Sequence, residues 1–331
     1  MRHHVSFVGA GESAARPIVE ESQQRSSAAT GSPASRYQYH AECVGKLRSK
    51  GLTQACASCR AELLRIEQLY ETAVRRWLIV LSRVDYGVAA WGNLSEESQQ
   101  DMDAVVKMMR EAAETGLVDA QVALGQIYDQ GQGVPRNALA AHAWLRAAAD
   151  QDDAIALTQL GIIYHFGRPP HIYPSYEAAL ECYRKAADQG QAEAMLNLGI
   201  IHRDGLGTPQ DFRQALVWFR EAAERGVADA EFNLGRMFAT GRGTSQDLHA
   251  AVRLYNTAAD KGHVNAMFNL GAMYRDGRGV PHSQRTAMWW FGVAADKGDQ
   301  RAKKIMDEFS AKKEEHYGAQ RRRERERLGL S

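Results

Sequence analysis

The chain has 331 residues, of which 44% are hydrophobic and 24% are charged, and its formal net charge is +1. This apolar content is typical of a folded chain rather than a disordered one, and the near-zero charge argues against bulk binding to nucleic acid. The longest strictly aliphatic or aromatic run, Trp77 to Leu81, is far shorter than the ~18 residues of a membrane span. Since no signal peptide is recognisable either, we expect a cytoplasmic or nuclear protein without membrane attachment.

Residues 1–35 are rich in serine, alanine and glycine and are expected to form a disordered tail. Residues 36–64 then carry a candidate zinc site, in which His40-x-x-Cys43 is followed by twelve residues and by Cys56-x-x-Cys59. This spacing within each pair lets two side chains reach one tetrahedral Zn²⁺. Such a zinc would be structural, because four protein ligands leave no open position for a water.

The Cys-x-x-Cys-Arg sequence, followed by apolar residues, resembles the second half of a RING finger. The first half is missing, since residues 1–39 contain no cysteine and Ser35 and Tyr37 stand where further ligands would be expected. Three interpretations stay open: an upstream half that has been lost, a degenerate motif, or one site shared by the four ligands. Without zinc, the cysteines would be a redox pair or an inert remnant. Ala57 replaces the proline usual in ubiquitin-ligase RINGs, which weakens the inference of ubiquitin transfer.

Residues 65–116 predict two helices that cap the array described next. The first is expected from about Ile66 to Val84, where apolar residues recur in helical register: Leu69, Ala73, Trp77 and Leu81. The second is expected to begin near Ser95, a good N-cap that two acidic residues follow. Its last residues, MMREAAETG, match the helix endings of the repeat units that follow.

Residues 117–298 are built from a repeat. A Leu-Gly pair recurs at spacings of 36, 38, 36 and 36, with its glycine at Gly125, Gly161, Gly199, Gly235 and Gly271. An Ala-Ala pair recurs at spacings of 38, 36, 36 and 36, beginning at Ala148, Ala186, Ala222, Ala258 and Ala294. The two-residue insertion is assigned to RPPHIYPS, Arg168 to Ser175. The five units are 117–152, 153–190, 191–226, 227–262 and 263–298.

Each unit predicts two helices. In the third unit Ala194, Leu198, Gly199 and His202 lie on one face of the first helix, which the glycines of Gly205-Leu206-Gly207 end. A glycine inside a helix costs about 1 kcal/mol relative to alanine. Its recurrence at one register therefore predicts close approach of a neighbouring helix, where a β-carbon would clash. One such helix pair cannot bury its apolar face alone, so the units are expected to stack.

This pattern resembles the Sel-one-like repeat, a relative of the tetratricopeptide repeat. The shared motif is A-x-A-x-x-x-L-G-x-x-Y-x-x-G-x-G-V followed by A-x-x-W-F-x-x-A-A-x-x-G, and residues Gln191 to Gly226 and His263 to Gly298 fit it well. The second unit departs most, because it lacks the second loop glycine. The resemblance implies an all-α, right-handed helical solenoid that binds proteins and implies no catalysis.

Two recurring residue types are candidates for partner binding. An asparagine precedes the Leu-Gly pair in three units, at Asn197, Asn233 and Asn269. It would either bond to a bound peptide backbone in the concave groove or form a structural hydrogen bond between repeats. Arginines lie nearby at Arg203, Arg236 and Arg275. They would either attract an acidic segment or pair with Asp204 and Asp276.

Cys182 and the C-terminal stretch are predicted to have structural roles. Cys182 falls in a buried helix column and is predicted to be a core thiol. Residues 299–331 form a charged helix or tail, in which Met306 and Phe309 are expected to seal the last repeat. The sequence RRRERER within it is interpreted as a solvated helix rather than as a localisation or RNA-contact signal.

The sequence favours a non-enzymatic adaptor that binds a protein or peptide on the concave face of the repeats. The alternative is a component of an E3 ubiquitin ligase, in which a RING-type module recruits ubiquitin-conjugating machinery and the repeats select the substrate. These hypotheses differ in one feature, since only the second needs Cys-x-x-Cys sequence upstream of residue 36.

Overall fold

A computed structural model describes residues 57–84 and 90–327. Within these ranges all regular secondary structure is helical, and the only β-type pairing is one isolated bridge between Arg168 and Ile172. The chain divides into two compact units, one ending at Gln189 and the other beginning at Gly190. The predicted all-α helical-repeat class is therefore confirmed.

The first unit is a row of antiparallel helix pairs. Its described elements are α1 (Ala57–Arg83), a 3-10 turn (Ala90–Asn93), α2 (Glu96–Glu114), α3 (Val118–Gln130), α4 (Ala138–Ala149), α5 (Ala154–Phe166) and α6 (Tyr176–Asp188). Helices α1 and α2, α3 and α4, and α5 and α6 pack as pairs, and each pair also packs against the next. The helix pair predicted upstream of the repeats is thus present as α1 and α2.

Helix α1 begins at Ala57, about nine residues before the start expected from the sequence. The added residues are mostly good helix formers, including two alanines, two leucines and a glutamate, so the helix extends upstream. Residues 57–64, which the sequence interpretation assigned to the zinc segment, therefore belong to α1. The predicted start of α2 is confirmed, because the Ser95 hydroxyl accepts a hydrogen bond from the N–H of Ser98 at 3.3 Å.

The second unit repeats the same arrangement. Its described helices are α7 (Ala192–Asp204), α8 (Phe212–Glu224), α9 (Ala228–Thr240), α10 (Leu248–Asp260), α11 (Val264–Asp276), α12 (Gln284–Asp296) and α13 (Gln300–Arg327). The pairs are α7 with α8, α9 with α10 and α11 with α12, and α13 packs against α12. Met306 on α13 contacts the apolar core of the last repeat, as predicted, whereas Phe309 remains 39% exposed.

Side-chain caps and glycines fix the ends of the repeat helices. The second helix of every repeat has a capping side chain that accepts a backbone N–H: Asn137, Ser175, Asp211, Asp247 and Ser283. Each such cap stabilises a helix by about 1 kcal/mol. Most first helices end at a glycine in the left-handed region, such as Gly205 at φ 70°. These local signals separate the two helices of each repeat.

The loop of the second repeat is longer, and an ion pair holds it in place. It spans residues 167–175, two residues more than the loop between α3 and α4. The guanidinium of Arg168 donates from Nε and Nη2 to the two carboxylate oxygens of Asp129, at 2.7 and 2.8 Å. This Asp129 lies in the preceding repeat, so the pair joins α3 to the loop that follows α5.

Candidate functional site

Three of the six residues predicted to bind a partner meet at one pocket in the second unit. Arg203 is near the end of α7, and Asn233 and Arg236 lie on α9. The pocket has a volume of about 100 Å³. Its remaining lining residues come from the start of α8, from α9 and from the loop after it: Phe212, Met237, Thr240 and Arg242.

Asn233 forms a structural hydrogen bond between repeats. Its Oδ1 accepts from Nη1 of Arg203 at 2.7 Å, and its Nδ2 donates to the backbone oxygen of Asp229 at 2.8 Å. Arg203 also donates from Nε and Nη2 to the Asp204 carboxylate, both at 2.7 Å. The structural alternative left open by the sequence therefore applies to Asn233, and Arg203 is held by a carboxylate of its own helix.

The other two arginines of the pocket lack such a partner. Arg236 and Arg242 are both exposed, and neither forms an ion pair with another described residue. Arg242 lies over the ring of Phe212, with Cζ 5.4 Å from the centroid, and Arg236 lies 5.8 Å from the centroid of Phe232. The pKa of Arg236 is lowered mainly by desolvation and, to a lesser extent, by the nearby positive charge of Arg203. An arginine stays protonated despite such a shift, so the pocket carries an excess of positive charge.

The structure does not bring the remaining predicted residues to this pocket. Asn197 is buried. The side chain of Asn269 is hydrogen-bonded to Tyr255, whose burial raises its pKa to about 12. Arg275 donates to Asp276 at 2.7 Å, and this hydrogen bond lowers the pKa of the Asp276 carboxyl. Arg275 thus follows the alternative interpretation, in which the arginine pairs with its neighbouring aspartate.

Sequence reasoning missed Arg242, although the sequence contained a signal. Arg236 directly follows the Leu-Gly pair, a position that is uncharged in the other repeats: Gln126, Ile162, Ile200 and Ala272. Arg242 stands between the two loop glycines of the same repeat. When the repeats are aligned, the fourth repeat therefore carries the most positive charge around the end of its first helix. Only the packing of the repeats shows that Arg236 and Arg242 line one pocket together with Arg203.

The predicted zinc ligands fall largely outside the described residues. His40, Cys43 and Cys56 lie outside them, and Cys59 lies in the first turn of α1, where its side chain is not described. The predicted core position of Cys182 is confirmed, since this free thiol is buried. Burial raises the pKa of the Cys182 thiol to about 11. Within residues 57–84 and 90–327, no three His, Cys, Asp or Glu side chains are grouped to hold a metal.

The fold and this surface pocket define a helical-repeat protein built from stacked helix pairs. The Sel1 repeat family matches the chain over residues 118–153, 154–191, 192–227, 228–263 and 264–299. Since these segments cover more than half of the sequence, the chain belongs to the Sel1 repeat family. Proteins with this repeat are generally scaffolds for protein interaction.

Solved structures share the fold. The Sel1 repeat protein from Oxalobacter formigenes is 29% identical, with a TM-score of 0.59, and the match covers 72% of this chain and 86% of that one. The protective antigen c5321 of uropathogenic Escherichia coli, described as having an SLR fold, is 22% identical with a TM-score of 0.55. That match covers 90% of this chain and 67% of c5321. No curated protein matches the chain. None of the described helices is long and apolar enough to cross a membrane.

Proposed function

We propose that this protein is a non-enzymatic adaptor whose repeats bind a protein or peptide partner. The partner is expected on the side formed by the first helices, which is the side predicted to be concave in such a solenoid. The observation that supports this proposal is the pocket itself, since Arg203, Asn233 and Arg236 converge there from α7 and α9. The remaining first-helix residues are largely committed to packing within and between repeats.

A site-specific photo-crosslinker tests the proposal in the full chain. One variant carries p-benzoylphenylalanine at Thr240, which is exposed at the pocket. A matched variant carries it at Val217, which is 46% exposed on the second helix α8. We expect a partner to be crosslinked from Thr240 and not from Val217. Equal crosslinking from both positions would contradict binding on the first-helix side, and the absence of any partner would contradict the adaptor proposal.

The ubiquitin-ligase alternative depends on residues 36–56, which lie outside the described residues. Nothing in the described part of the chain favours it over the adaptor. It remains a prediction of the sequence, which the zinc content of the protein would test.

A further inference from the structure

Two positions in neighbouring repeats contact each other in the first two repeats. The first position lies five residues after the leucine of the Leu-Gly pair in one repeat. The second position lies eight residues after the corresponding leucine in the following repeat. In the first two repeats these residues are Asp129 and Arg168, which form the bidentate ion pair described above. Their side chains are only 17% and 22% exposed. The repeat architecture therefore accommodates a carboxylate against a guanidinium at this register.

In the third and fourth repeats the same two positions hold Arg203 and Arg242. Both residues line the pocket, where Arg236 adds a third guanidinium. None of the described residues lining this pocket is acidic. The adjacent carboxylate of Asp204 is engaged through both oxygens by Arg203. Among the described residues lining the pocket, none therefore gives Arg242 the carboxylate that Arg168 has in the first unit.

The interface between the fourth and fifth repeats lacks this arrangement. There the positions equivalent to Arg203 and Arg236 are Ala239 and Ala272. The equivalent of Arg242 is Arg278, which has Asp276 nearby in its own repeat and contributes to the lowered pKa of that carboxyl. In the fourth repeat the residue equivalent to Asp276 is Thr240, which carries no charge.

We infer that the pocket binds a carboxylate side chain from an acidic segment of the partner protein, between Arg236 and Arg242. This inference rests on the proposed function and names the chemistry of its partner. A planar guanidinium binds a carboxylate through two parallel hydrogen bonds, as Arg168 does with Asp129. Phe212 and Met237 provide an apolar wall beside the guanidinium groups. A volume of about 100 Å³ suits one side-chain head group.

Selection from a random peptide library on the immobilised full chain tests this inference. We expect the selected peptides to be enriched in aspartate and glutamate. Arg236→Ala and Arg242→Ala should each weaken binding of a selected peptide by about two- to fivefold, the loss expected for one ion pair at an exposed site. The matched control Arg278→Ala removes the equivalent arginine of the next repeat and should leave binding unchanged. Far-ultraviolet circular dichroism verifies that each variant is folded.

A graft from the first repeat provides a second, independent test. The double substitution Arg203→Asp with Asp204→Gln copies the sequence of residues 129 and 130 into the third repeat. It should give Arg242 an internal carboxylate partner, as Arg168 has. We expect the melting temperature to be retained and binding of the acidic peptides to fall by about two- to fivefold. If the variant loses peptide binding but keeps its melting temperature, the loss is due to the new carboxylate beside Arg242 and not to unfolding.

The outcomes separate this inference from the proposal on which it rests. Selected peptides without an acidic preference, or acidic peptides whose binding is the same in the Arg236→Ala and Arg242→Ala variants, would overturn the inference alone. The adaptor proposal would then still stand on the crosslinked partner. If neither a peptide nor a crosslinked partner is obtained, both fail together.

Discussion

Gly199 on α7 lies directly against the ring of Phe219 on α8. A β-carbon added to Gly199 would lie 2.5 Å from two ring carbons, closer than any ordinary van der Waals contact. Phe219 is completely buried, so its ring can move away only by displacing neighbouring core side chains. The same contact recurs between Gly125 and Leu145, Gly161 and Tyr183, Gly235 and Tyr255, and Gly271 and Phe291. The Leu-Gly glycine therefore sets the distance between the two helices of a repeat.

The substitution Gly199→Ala should destabilise the protein despite favouring the helix. Alanine gains about 1 kcal/mol of intrinsic helix propensity over glycine. Forcing an extra methyl against a fixed core side chain typically costs about 1–3 kcal/mol. We expect a net loss of about 1 kcal/mol in the free energy of unfolding, measured by urea denaturation.

Gly292 provides the matched control for this experiment. It lies within α12, and the nearest atom to an added β-carbon would be the terminal methyl of Met306, at 3.9 Å. Gly292→Ala should therefore stabilise the protein by up to about 1 kcal/mol. If both substitutions shift the free energy of unfolding in the same direction, the contact with Phe219 is not the reason for the recurring glycine.

Removing the carboxylate of Asp129 should loosen the long loop of the second repeat. In Asp129→Asn the partly buried guanidinium of Arg168 loses its charged partner, which we expect to cost about 1–3 kcal/mol, between the values for exposed and buried pairs. Hydrogen exchange is a local measurement of this effect. The amides of Arg168 and Ile172, which bond to each other's carbonyl oxygens, should exchange faster in the variant.

An exposed ion pair of the same unit serves as the comparison. Arg75 and Glu71 on α1 are 3.3 Å apart, with side chains 78% and 64% exposed. Pairs in such a setting contribute about 0.5 kcal/mol or less. Arg75→Ala should leave exchange in the loop unchanged. Equal protection of Arg168 and Ile172 in wild type and Asp129→Asn would show that the ion pair does not hold the loop.

Alkylation of Cys182 should depend on pH in a way that reflects its burial. Burial raises its pKa from the ordinary value of 9.0 to about 11. Because the folded state favours the protonated thiol, this contribution to stability is present below pH 9 and is lost as pH rises towards 11. In the folded protein, alkylation measured by mass spectrometry should keep increasing between these two pH values. In denaturant the alkylation rate should level off near pH 9. A plateau near pH 9 in the folded protein would contradict the prediction.

The zinc prediction is tested by metal analysis of the purified full chain. If His40, Cys43, Cys56 and Cys59 share one site, we expect about one equivalent of zinc per chain. The double substitution Cys56→Ser with Cys59→Ser should remove it. Cys182→Ala should retain it, because that thiol is buried in the repeat core. Less than about half an equivalent in the unmodified chain would rule out the site.

Much of the fold was predictable because its signals are local. The Leu-Gly and Ala-Ala registers, the capping residue Ser95 and the insertion after Gly167 all lie within one or two turns of the features they specify. The sequence predicts the start of α1 at about Ile66, nine residues too late, because the Cys-x-x-Cys sequence resembles part of a separate zinc segment. Helix propensity alone would have continued the helix upstream through residues 57–64.

The candidate site was only partly predictable, since its residues come from different repeats. The sequence by itself determined the repeat length, the paired helices, the close contact at Gly199 and the buried position of Cys182, because these follow from periodicity along one chain segment. Only the tertiary structure decided that Arg168 is neutralised by a residue 39 positions earlier while Arg242 is not. Whether a charge is satisfied depends on which side chains stacking brings within hydrogen-bonding distance, and that relation is between repeats rather than within them.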